Sequence, residues 1–122
     1  MRTSFVHLSA FTTSWKRMSL TDEDLGLLEN AIQRRPGGPP VMPGTGGLRK
    51  IRFAPAHGSG GKSGGGRVCY AYLPEYHLVY LCAVFPKHEK ANLSDAEKRA
   101  YKRVLESFSR YLKDHWEKGL TP

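Results

Sequence analysis

Five cations, Arg49, Lys50, Arg52, Lys62 and Arg67, lie within a stretch that reads G-T-G-G-L-R-K-I-R-F-A-P-A-H-G-S-G-G-K-S-G-G-G-R from Gly44 to Arg67. Glycine and serine surround them with little side chain, so backbone N–H groups and cations alike can approach a polyanion such as a phosphodiester chain. The chemistry this suits is cleavage of RNA without a metal. The ribose 2′-OH attacks the adjacent phosphate while lysine and arginine stabilise the charge that develops. Such a reaction also needs a base and an acid. A lysine crowded by other cations has its pKa lowered and can serve as either, and His57 and His88 are alternatives of a type that titrates near neutrality. Plain polyanion binding without catalysis is the competing reading of the same residues.

Other chemistries fail on their spacing. G-G-K-S at 60–63 looks like the end of a phosphate-binding P-loop, but the first glycine of that motif falls on Ala56, and a glycine follows Ser63 where a helix should begin. Gly44 and Gly46 open a G-x-G-x-x-G whose third glycine is replaced by Arg49, which removes the dinucleotide fingerprint. No Ser-His-Asp or Cys-His arrangement is legible. Two cysteines and five scattered histidines lack ligand spacing, so no metal site and no cofactor are expected. Cys69 and Cys82 lie in apolar runs and read as small buried side chains of a reducing compartment.

The elements that must carry the cations follow in order. Residues 4–8 form a short apolar run suited to an edge strand, and Phe11, Trp15 and Met18 repeat at helical spacing. Thr21 followed by three acids starts a second helix, with Leu25, Leu28 and Ile32 on one face and Pro36 ending it. Residues 36–47 are rich in glycine and proline and read as a surface loop. Residues 48–54 alternate as a strand, with Lys50 and Arg52 on one side and Arg49, Ile51 and Phe53 on the other. Runs at 67–73 and 78–85, joined by a turn around Pro74-Glu75, are apolar on both faces as central antiparallel strands are. Ser94 to Glu97 is a capping box, after which Ala100, Val104, Leu105, Phe108 and Leu112 set the inner face of a last helix up to about Trp116. Its outer cations, Lys98, Arg99, Lys102, Arg103, Arg110 and Lys113, read as a solvated face.

At 122 residues, with 39% hydrophobic and 25% charged residues, the chain fits one ordinary globular domain, 1–122. The expected class is α+β: N-terminal helices packed on an antiparallel three- to four-stranded sheet, then a C-terminal helix. A formal net charge of +8 favours anionic partners. No apolar run reaches the ~18 residues of a membrane span, and no signal peptide is legible, so a cytoplasmic protein without a membrane partner is expected.

Three ordered motifs, G-T-G-G-L-R-K-I-R at 44–52, G-K-S-G-G-G-R-V-C-Y at 61–70 and V-F-P-K-H-E-K-A-N-L-S at 84–94, resemble the RelE/ParE toxin superfamily in its HigB-like branch, over nearly the whole chain. The resemblance implies a small RelE-like domain with a curved sheet, encoded beside an antitoxin with which it forms a complex, the antitoxin being a helix-turn-helix protein. It implies a type II toxin that cuts mRNA on the ribosome and so inhibits translation. Carried over by position, Arg67 resembles the arginine that stabilises the transition state, and Lys87 and Lys90 the basic residues of the facing wall. Lys62, with Arg49, Lys50 and Arg52, resembles the phosphate-binding groups, and Tyr70 or Tyr72 a base-stacking ring. The chain departs from the pattern at Ser63, where a cation is common, and at Pro86 and His88, where a small residue and asparagine are common. Two alternatives stand beside this reading: a ParE-like inhibitor of DNA gyrase, and an inactive relic that binds nucleic acid or antitoxin.

Overall fold

A computed structural model describes residues 2–55, 65–90 and 92–116. Strand β1 (Ser4–His7) leads into helix α1 (Ser9–Arg17) and helix α2 (Asp22–Arg34). Strands β2 (Leu48–Phe53), β3 (Gly66–Leu73) and β4 (Leu78–Pro86) follow, with a 3-10 turn at Pro74–Tyr76, and helix α3 (Asp95–His115) closes the order. The class is α+β, as expected from the sequence.

The sheet has the order β1-β4-β3-β2. β2, β3 and β4 are antiparallel neighbours, but β1 joins β4 parallel, with Ser4 opposite Leu78 and His7 opposite Leu81, so the sheet is mixed and not wholly antiparallel. Composition identifies β1 as an edge strand; its direction depends on how the two helices carry the chain away from it.

Each face of the sheet has its own core. Phe11, Trp15, Leu28 and Ile32 of α1 and α2 bury against Phe53, Val68, Tyr70, Val79, Leu81 and Val84. Leu93, Leu105 and Leu112 cover Leu48, Cys69, Ala71, Leu78, Tyr80, Cys82 and Phe85 on the other side. β3 and β4 are thus sandwiched, which is why both read as continuous apolar runs. A bulge explains how Cys82 and Phe85, three apart, share a face: Cys69 opposes Ala83 while Tyr70 opposes Leu81, leaving Cys82 extra. Tyr101 donates to the Cys82 carbonyl at 3.3 Å.

Local signals fix the helix starts. Thr21 and Asp24 form a reciprocal capping box on α2, and Ser94 and Glu97 form one on α3. The inner face of α3 differs from its expected one: Tyr101, Leu105, Phe108, Leu112 and Trp116 pack inward, whereas Val104 is exposed and Ala100 lies on the outside. Arg99, Lys102, Arg103, Arg110 and Lys113 are exposed. The loop over 36–47 folds back on the sheet edge, where Val41 bridges Arg49 and the buried Thr45 hydroxyl donates to Met42 O and accepts from Leu48 N. No described helix is long and apolar enough to cross a membrane.

Candidate nucleic-acid interface

Arg67 is the second residue of β3, and its position depends on the two glycines before it. A Cβ on Gly65 would lie 1.9 Å from Phe53 O, and one on Gly66 would lie 2.6 Å from Phe85 O. The backbones of three strands therefore converge at this end of the sheet, and only glycine fits between them. At these two positions the glycine run serves strand packing, not a ligand. Lys87 N donates to Gly65 O at 3.4 Å, which ties the turn after β4 to the same point.

Alternation along β3 puts Arg67 on the face of Cys69 and Ala71, the side that α3 covers further along. The ladders set Arg52 opposite Arg67 on one side and Phe85 opposite it on the other, with Lys50 opposite Cys69. The Lys90 ammonium stands 5.1 Å from the centre of the Phe85 ring. Lys50, Arg52, Arg67 and Lys90 are thereby gathered at one end of one sheet face. Burial pushes the Cys69 thiol up to about 11, against the opposing pull of the nearby Lys50 and Lys90 ammoniums.

Arg67 is half-buried, and its Nη1 donates to Gly66 O at 3.3 Å. Among the described residues no carboxylate pairs with Arg67 or with the exposed Arg52. Lys90 differs: its Nζ donates to both carboxylate oxygens of Glu97, at 2.8 and 3.0 Å. The hydrogen bond from Lys90, then that from the Ser94 backbone, holds the Glu97 carboxyl below its usual range. Such a cluster, with one planar guanidinium held at a strand start, suits a phosphate and the charge that builds on it during displacement.

Three of the expected RNA groups lie elsewhere. Tyr70 is fully buried on the opposite face, with its hydroxyl donating to Pro36 O at 2.7 Å, so it has no ring surface to stack on a base. Tyr72 is half-buried on that same opposite face, packed against the α1/α2 core. Arg49 donates through Nη1 to the carbonyls of Gly37 and Pro39 and has a buried Nε with no hydrogen-bond partner, so this half-buried side chain fastens the loop over 36–47. The reason is common to all three: in strands, odd and even neighbours go to opposite faces. Lys62 and His57 lie outside the described residues.

Lys87 and His88 are exposed in the turn after β4. His88 lines a cleft of about 200 Å³ with Arg17, Met18, Phe53, Gly66 and Pro86. A second cleft of about 240 Å³ shares Arg17, Met18, Pro86 and Glu89 and continues past Lys90 to Glu97 and Tyr101. Arg17, which lines both clefts, and Glu97, which pairs with Lys90, are the neighbours of these residues that the sequence does not point to; neither cleft is lined by Arg67, Arg52 or Lys50. Arg17 shows only as the end of a basic pair closing a helix, and Glu97 is accounted for as a cap. No family model matches the chain.

Proposed function

We propose that this chain is the toxin of a type II toxin-antitoxin pair, a ribosome-dependent endoribonuclease that cuts mRNA and halts translation in the cytoplasm. The single observation that carries the reading is the cross-strand placement of Arg52 beside Arg67, with Lys50 and Lys90 on the same face. Two guanidiniums without a carboxylate between them form a site for two or more phosphate oxygens. The 2′-oxygen forms its bond to phosphorus as the 5′-oxygen leaves; the 2′-proton goes to a base and the 5′-oxygen takes a proton, leaving a cyclic phosphate and a 5′-hydroxyl. Arg67 meets the extra charge on the non-bridging oxygens. An antitoxin encoded by the adjacent gene, presenting an acidic segment to these cations, is the expected partner.

The experiment is Arg67→Ala beside Arg67→Lys, followed in cleavage of a ribosome-bound message and in thermal melting. Loss of one such group lowers the rate by about 10²–10³. Arg67→Lys recovers part, because an ammonium cannot bridge two oxygens in one plane. An alanine variant that melts and cuts like the wild type removes Arg67 from the mechanism.

One observation favours a non-cleaving toxin of the gyrase-inhibiting kind: Tyr70 is buried in the fold and Arg49 fastens a loop, so neither is on the face of the described cations to meet an RNA base. Pulse labelling separates the two. Under the nuclease reading amino-acid incorporation falls before DNA synthesis; the reverse order with intact mRNA selects gyrase.

A further inference from the structure

We propose that Glu97 is a positioning residue for this site, fixing Lys90 at the border of the cationic face; the inference rests on the RNA reading of that face. Glu97 is itself held at two points. Its Oε1 accepts from Ser94 N at 2.8 Å, and its own backbone N–H donates to Ser94 Oγ at 3.1 Å, so the carboxylate is a fixed post at the start of α3. Lys90 meets both of its oxygens while lying over the Phe85 ring, and Phe85 is the cross-strand neighbour of Arg67. A continuous line of contacts thus runs from the α3 cap through Glu97, Lys90 and Phe85 to Arg67.

The lysine and glutamate side chains are 38% and 41% exposed, so the pair adds little to stability. Its consequence is geometric. An ammonium on a flexible stem loses most of its rotamers here, while at least one of its three N–H groups stays available to a phosphate oxygen. The carboxylate also removes one unit of positive charge from the patch, which weakens indiscriminate attraction to RNA. Positioning and attraction therefore oppose each other at this one residue.

Glu97→Gln separates them. Glutamine keeps an acceptor for Ser94 N and so keeps the helix start, while the ion pair is lost. The expected result is tighter binding of a short fluorescein-labelled RNA at low salt, together with a fall of roughly 10- to 100-fold in single-turnover cleavage of a ribosome-bound message, the scale of a misplaced group. Lys90→Met should show the same fall, and Glu97→Gln added to it should cost nothing more. A merely structural role would move affinity, melting and rate together. Wild-type cleavage by Glu97→Gln, or a loss that adds to that of Lys90→Met, overturns the proposal. Should the wild type itself not cut RNA, the nuclease reading falls separately, and the Lys90 ammonium decides the positioning. In protein carrying ¹⁵N-lysine, a persistent ammonium signal that disappears in both Glu97→Gln and Lys90→Met upholds it; an unchanged signal in Glu97→Gln overturns it.

Discussion

Arg52 and Arg67 face each other across the β2–β3 ladder, two like charges at one rung. Directly opposed like charges destabilise a sheet by about 0.2–1 kcal/mol relative to a neutral pair, so the arrangement costs stability unless an anion lies over it. Arg52→Thr, which keeps a β-branched strand former, should raise stability by that amount. A higher urea midpoint at unchanged slope is the readout. RNA affinity should fall at the same time, with the salt dependence reduced by about one phosphate contact. A lower midpoint would mean that the pair is not repulsive in the folded protein.

Tyr70 and Arg49 give the opposite pattern. Tyr70→Phe removes the bond to Pro36 O and should cost about 1 kcal/mol, and Arg49→Met, which frees the Gly37 and Pro39 carbonyls, about 1–3 kcal/mol. Neither should change RNA affinity at low salt beyond about the effect of one charge. Tight RNA binding lost in Tyr70→Phe at unchanged stability would return the ring to the site.

Two glycines test the packing account against each other. Gly65 has φ +105° and a Cβ position inside the contact distance of Phe53 O, so Gly65→Ala adds strand displacement to a backbone strain of about 1–3 kcal/mol and should leave little folded protein. Gly26 lies exposed within α2 with nothing near its Cβ position, and Gly26→Ala should stabilise by about 0.5–1 kcal/mol. Far-UV circular dichroism during heating reads both. A well-folded Gly65→Ala would show that β2 and β3 can separate at that end.

Acid should loosen the start of α3. The Glu97 carboxyl is held below its usual value, so its contribution is complete above the ordinary carboxylate range and is lost as pH falls through the lowered folded value. Lys90→Met removes the largest cause of that lowering. Urea midpoints measured from neutral into acid should therefore fall less steeply in Lys90→Met than in the wild type. Equal slopes would mean that the ion pair does not persist in solution.

Periodicity and punctuation in the sequence determined the elements themselves. Thr21 and Ser94 start helices, Pro36 lies just beyond the end of one, and the alternation of Leu48–Phe53 assigns Arg49 and Lys50 to opposite faces, because each of these is a local consequence of dihedral preference and hydrogen-bonding reach. The cationic character of the end where Arg67 stands was legible for the same reason. Three things were decided only by the tertiary structure. The direction of β1 depends on how α1 and α2 carry the chain away from it. Burial of Tyr70 depends on which face of β3 receives α1 and α2, and a strand apolar on both faces carries no mark of that choice. Glu97, seven residues from Lys90 and thirty from Arg67, reaches the site only because α3 begins near the end of the sheet where β3 starts and β4 finishes. Alternation tells which residues share a face; packing alone decides which face meets solvent.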